Sequence, residues 1–185
     1  AADALNWHAR IMGRSAPDLV ADLGGNLLAP TSVRFLPYLS GERTPHNDAH
    51  VRGSFHGLSH DTTAAHMTQA VLEGVAFALC DTQAALADIG SQITTLIAMG
   101  GGSNSDYWLS LIATVLECDV LRPTDGDFGA SFGAARLGLM AHTGANATEI
   151  CTMPSIGKRF TPNDTLRPAF QDAYADYKSL YKSHK

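Results

Sequence analysis

The run Met99-Gly100-Gly101-Gly102-Ser103-Asn104-Ser105 follows an apolar, β-branched stretch, Thr94 to Met99, and precedes an amphipathic one. A strand–glycine loop–helix order lets backbone approach a ligand closely, because glycine has no Cβ. The start of the next helix adds unpaired N–H groups and partial positive charge, which suit an anion. The bland reading of the same residues is a tight strand-to-helix turn capped by Ser103 or Ser105. The loop is not a P-loop, since no Gly-Lys-Ser/Thr follows, and it is not a full G-x-G-x-x-G.

Gly129-Ala130-Ser131-Phe132-Gly133 matches G-x-S-x-G, the nucleophile elbow of serine hydrolases. That chemistry makes Ser131 the nucleophile, with Asp164 or Asp172 and then His184 completing a triad in chain order. An elbow needs a buried strand running into the serine, and Thr124-Asp125-Gly126-Asp127 reads as loop. The alternative is a small-residue helix start packing closely on a neighbour. Of the histidines, His46/His50 and His56/His60 are each four apart, a spacing that ligates zinc on a helix. Both pairs fall in Pro/Gly-bearing loop sequence, so solvated histidines are the expectation.

The balance of charge excludes some functions. Eighteen acidic against thirteen basic residues give −5, with no Lys/Arg run to grip nucleic acid. ATP remains compatible, because backbone N–H groups and a metal can carry its charge. Cys80, Cys118 and Cys151 show no ligand spacing and read as free thiols of a reducing compartment, the cytoplasm. The apolar runs read as too short for a bilayer, so no membrane is expected.

Elements that would position these groups follow from periodicity. Helices are expected over Ala1–Met12 (Ala4, Leu5, His8, Ile11 and Met12 on one face), Ala16–Leu23, and Thr63–Ala87 with Asp61 or Thr62 as cap. Further helices are expected over Asn104–Glu117, Phe128–His142 and Leu166–Tyr181. Strands are expected over Phe35–Leu39, near Gly53–Leu58, over Thr94–Met99 as a buried parallel strand, and over Asp119–Leu121. Residues 143–165 read as mostly loop. Strand–helix–strand–helix from Thr94 to His142 indicates an α/β fold with a parallel pair.

Two segments carry a resemblance. One is Phe35-Leu36-Pro37-Tyr38-Leu39-Ser40-Gly41-Glu42-Arg43-Thr44-Pro45-His46-Asn47. The other is Gly53-Ser54-Phe55-His56-Gly57-Leu58, followed at fixed spacing by His66-Met67 and Ala70-Val71-Leu72-Glu73. Over Phe35 to Met140 the chain resembles the FGGY family of carbohydrate kinases, its xylulokinase-like branch in particular. Glu73 itself fits either a helix–loop hydrogen bond or a solvated helix face.

The resemblance implies part of an actin-like ATPase (RNase H-like) domain, with parallel strands flanked by helices and the leading strands of the domain missing. It divides the chain into a helical lead-in (1–34), a core with the adenosine loop (35–142), and a loop with a C-terminal helix (143–185). It implies ATP and Mg²⁺ as cofactors, ATP/ADP as partner, and transfer of phosphate to a sugar, D-xylulose to its 5-phosphate. L-Ribulose and gluconate remain open. Gly100, Gly101 and Gly102 would lie against adenosine, with Asn104 or Ser105 supplying a polar contact. The sugar, the general-base aspartate and a Gly-Thr-Ser phosphate hairpin are expected in a preceding N-terminal domain. Hence no catalytic residue is expected in this chain, which alone would be inactive. Ala1-Ala2-Asp3, opening directly in helical sequence, carries the same expectation of a piece of a longer polypeptide. An unpaired strand edge makes a homo-oligomer a further expectation. A non-catalytic actin-like nucleotide-binding module is the other reading.

Overall fold

The computed structural model describes residues 2–124 and 129–183. In chain order the elements are α1 (Ala2–Met12), α2 (Ala16–Ala21), β1 (Arg34–Leu36), β2 (Ser54–His56), α3 (Ala64–Asp88) and β3 (Thr95–Ile97). A 3₁₀ turn (Gly101–Asn104) leads to α4 (Asp106–Leu116), β4 (Asp119–Pro123), α5 (Gly129–Thr143), α6 (Ala147–Ile150), β5 (Ile156–Phe160) and α7 (Arg167–Ser183).

Helix α3 is the axis of the core. Thr63, not Asp61 or Thr62, caps it: its hydroxyl accepts the His66 N–H while the His66 ring accepts the Thr63 N–H. Residues from Thr68 to Phe77 are buried on every side of the helix, the state of a helix that is apolar all round. By length and composition α3 could cross a membrane, contrary to the sequence expectation. In the structure it is instead packed by α1, α4, α7 and β1, and its polar groups are bonded inside the fold.

The antiparallel pair β1–β2 sets Phe35 opposite Phe55, with Trp7 of α1 stacked on both. β1 stops at Leu36, short of the expected Leu39, because Pro37 cannot donate to a ladder. Gly74 allows α3 to cross this strand: a Cβ there would stand 2.2 Å from the Phe35 carbonyl oxygen. α1 buries Ala4, Leu5, His8 and Ala9. Ile11, expected on the same face, is 60% exposed, since the face that meets α3 ends a turn earlier. Burial holds the His8 imidazole below its ordinary pKa, and its Nε2 lies 3.1 Å from Thr68 Oγ1.

The second sheet has the order β3-β4-β5, parallel then antiparallel. β3 is not the buried strand expected: Thr95 and Ile97, which share one face, are exposed, and among the described residues nothing pairs with its other edge. α5 likewise buries none of its residues, though its start packs closely: a Cβ on Gly129 would stand 3.3 Å from the Met99 Cβ. β5 and α6 lie where loop was expected. β5 is polar apart from its ends and is held by pairing to β4 and by ion pairs of Lys158 and Arg159 with Asp106 and Asp119. α7 closes the core with Phe170, Ala173, Tyr177 and Tyr181, and its Tyr177 hydroxyl lies 2.7 Å from that of Tyr38. Buried side chains of α1, β1, α3, α4 and α7 form one continuous cluster.

Candidate functional site

Gly100, in the left-handed region at φ +87°, turns the chain out of β3, a conformation glycine adopts without strain. Its carbonyl accepts both the Ser103 N–H at 2.9 Å and the Ser103 hydroxyl at 2.7 Å. The loop is thereby wound into the 3₁₀ turn. Ser105, not Ser103, then caps α4 by accepting the Trp108 N–H at 3.1 Å. Trp108 is buried and donates its indole N–H to the Leu72 carbonyl, which fixes the start of α4 against α3.

This turn forms one wall of a cleft of about 630 Å³, within the range of small-molecule sites. Gly101, Gly102, Asn104 and Ser105 line it together with the N-terminal residues of α4. The opposite wall comes from α1 and α2, chiefly Leu5, Pro17 and Val20, with Asn6 contributing an amide. Gly24 and Gly25 close one end. Gly100 does not face this cleft; it borders a second space of about 340 Å³ behind the loop, against β3. The apolar walls suit a flat, weakly polar group, and the α4 N-terminus and loop amides suit an anion.

The end of the cleft carries a charged cluster. Asp106, first residue of α4, accepts Lys158 Nζ at 2.5 Å and Arg122 Nη1 at 2.7 Å. Lys158 first, then Arg122, hold its carboxyl below the usual carboxylate range. The Arg122 guanidinium also donates to the Ser103 carbonyl at 3.1 Å.

The signature around Glu73 has a structural function. Glu73 is 1% exposed, and its Oε1 accepts the Thr31 N–H at 3.1 Å and the Gln69 amide at 2.8 Å. Gln69 also donates to the Ala29 carbonyl. It is therefore the helix–loop bond, not the solvated face. Burial is the main cause of a carboxyl pKa pushed up to about 8, against the hydrogen bonds that favour its charged form.

The rival readings fare differently. Ser131 is the third residue of α5 and lies inside the helix, not at a strand-to-helix elbow; residues 125–128 and His184 lie outside the described residues. The histidine pairs form no metal site: among the described residues no group of three His, Cys, Asp or Glu could hold an ion. His46 is not solvated either; its side chain is 19% exposed, packed on Tyr181 and 3.5 Å from Asp81. Cys80, Cys118 and Cys151 are free thiols. Among the described residues the donors do not fit a Mg²⁺ site.

Residues 10–142 match the C-terminal domain of the FGGY family of carbohydrate kinases. The chain belongs to that family. It is 34% identical over 184 residues to the xylulose kinase of Escherichia coli K12, covering 98% of this chain and 38% of that protein. Its fold superimposes on a xyloylose kinase from Brucella ovis with a TM-score of 0.91 and 53% identity, over 99% of this chain and 38% of the other. A gluconate kinase from Lactobacillus acidophilus matches with a TM-score of 0.79 and 26% identity, over 99% of this chain and 38% of that one. The chain thus spans about 38% of the length of these relatives. The fold is accordingly that of the actin-like sugar kinases, with β3 and β4 as the parallel strands of a sheet flanked by helices.

Sequence reasoning missed the second wall of the cleft. Asn6, Pro17 and Val20 lie far from the glycine loop in sequence, and their own segments read only as short helices. The paired Gly24-Gly25, which follows the second of these helices and closes one end of the cleft, was the available signal.

Proposed function

We propose that these residues form the nucleotide-binding, C-terminal part of an ATP-dependent sugar kinase whose substrate is D-xylulose. The cleft between the glycine turn and α1–α2 is the observation that carries this reading. Adenine and ribose lie between Leu5, Pro17 and Val20 on one side and the backbone of Gly101 and Gly102 on the other. Asn6, with Asn104 or Ser105, supplies the polar contacts that orient them. The triphosphate leaves along the loop amides and the N-terminus of α4. ATP would bring the transferable phosphoryl group, and Mg²⁺ would accompany its phosphates. This chain's residues position the nucleotide and keep water from the base, the kind of contribution on which phosphoryl transfer depends. Closure on the sugar-binding half of the enzyme would complete the site.

D-Xylulose is favoured because the Escherichia coli relative, 34% identical over 98% of this chain, is a xylulose kinase, whereas a glycerol kinase of Acinetobacter baylyi, 31% identical, covers 77% of it. The enzyme is placed in the cytoplasm, where its thiols stay reduced, and it needs neither nucleic acid nor membrane. The test is ADP release by the intact polypeptide with ATP, Mg²⁺ and D-xylulose, with L-ribulose and gluconate as comparators. D-Xylulose should give the highest kcat/KM. Preference for another sugar overturns the substrate, and nucleotide binding without turnover on any of them overturns the kinase. Residues 1–185 alone should release no ADP above a blank.

A further inference from the structure

The site reading above leaves unassigned what fixes the shape of the glycine turn. Its internal bonds, from Ser103 to the Gly100 carbonyl, close the turn on itself but do not attach it to the sheet. The backbone of β3 leads into it, and β3 is a three-residue strand paired on one side among the described residues. Arg122 supplies an attachment. It lies on β4, the neighbouring strand, and one nitrogen bridges the Ser103 carbonyl and the Asp106 carboxylate. Its guanidinium carbon stands 5.5 Å from the centroid of the Phe160 ring on β5, so the head group is held from a third direction. The bridge spans the point where the turn ends and α4 begins. On either side of that point Gly102, Asn104, Ser105 and Asp106 line the cleft.

We propose that Arg122 is a positioning residue for the nucleotide: its guanidinium ties the last carbonyl-bearing turn of the glycine loop to the first residue of α4 and so presets the cleft wall on which adenosine rests. This rests on the nucleotide reading of the cleft. Lys158 has the lesser part. It neutralises the other oxygen of Asp106, and it is more exposed than Arg122. Preorganisation of this sort is felt where the ligand binds, because an ordered wall costs no ordering on binding. Charge-assisted hydrogen bonds are the stronger class, so their loss should be measurable.

The experiment compares Arg122→Met, Arg122→Lys and Gly101→Val with the parent in the intact kinase, reading KM for ATP, KM for sugar, kcat and the melting temperature. Arg122→Met keeps the stem over Phe160 and removes the donors. It should raise the KM for ATP about tenfold, with kcat and the sugar KM within about twofold. Arg122→Lys retains charge and a donor but not the fork, and should fall between. The proposal is overturned if Arg122→Met leaves the KM for ATP unchanged while Gly101→Val raises it, an outcome that leaves the cleft reading standing. It is equally overturned if both KM values and the melting temperature move together, or if Arg122→Lys is as poor as Arg122→Met. If Arg122→Met does not fold, Arg122→Lys decides on the same ratio of KM values. Failure of Gly101→Val to alter ATP binding would remove the cleft reading itself, and this inference with it.

Discussion

The imidazole of His46 lies on the ring of Tyr181, with centroids 3.7 Å apart and planes 16° from parallel. The edge of the same histidine meets Tyr38, and its Nε2 is 3.5 Å from Asp81, whose other oxygen accepts the Tyr174 hydroxyl at 2.6 Å. The segment from Gly41 to Asn47 is thus clasped between α3 and α7. His46→Ala removes a stacked ring and the imidazole that faces Asp81. A loss of about 1–2 kcal/mol is expected in urea unfolding. A change of a few tenths or less would mean the stack contributes no net stability.

Glu73 should make stability depend on pH. Its folded pKa, about 8, stands above the ordinary carboxyl value of 4.5. Between those values the unfolded chain releases a proton that the folded chain keeps, so stability falls as pH rises from about 4.5 to about 8. Glu73→Gln keeps an oxygen for the Thr31 N–H and removes the titration. Denaturant unfolding across that window should give a flatter profile for the variant than for the parent. Parallel profiles would show that Glu73 is ionised in the folded state.

Gly74→Ala tests the crossing of α3 over β1. The added Cβ would meet backbone, the Phe35 carbonyl oxygen at 2.2 Å, which cannot swing aside as a side chain can. Helix propensity alone would favour alanine by about 1 kcal/mol. Overpacking should outweigh it and destabilise the protein by about 2 kcal/mol or more, read as a lower urea midpoint. A stabilised variant would mean the helix can slide on the strand at little cost.

Among the described residues one edge of β3 is unpaired, beside Ile97 and Met99, 37% and 42% exposed. An apolar edge of this type recruits another strand. Sedimentation of residues 1–185 at rising concentration should therefore show self-association, and Ile97→Lys should reduce it. A monodisperse monomer at all concentrations would contradict this.

Much of the core was legible in the sequence because its signals are local. α3 announces itself by helical spacing and α4 by its glycine loop and capping serine. What was illegible depends on partners distant in sequence. β5, Ile156-Gly157-Lys158-Arg159-Phe160, has neither alternation nor an apolar run; Asp106 and Asp119 accept its two cations, and β4 supplies its ladder. β3 reads as buried because its run is largely apolar, yet the burial of Thr95 and Ile97 depends on what covers their face of the sheet, which no local pattern can reveal. His46 reads as solvated amid Pro45 and Asn47 until Tyr181, on the last helix, is brought under it. Half of the cleft was readable for the same reason: Gly101 to Ser105 form a motif, whereas Asn6 and Pro17 become lining residues only after α1 and α2 pack beside the turn.

Gly101 gives the most direct measurement of the nucleotide site. A Cβ at this position meets nothing within 4 Å, and the backbone there is not in the left-handed region, so a side chain costs the fold little. It does occupy the cleft wall. In the intact kinase Gly101→Val should raise the KM for ATP about tenfold or more, with the KM for sugar and the melting temperature nearly unchanged. An unchanged KM for ATP in a folded, active variant would contradict the assignment of this cleft to adenosine.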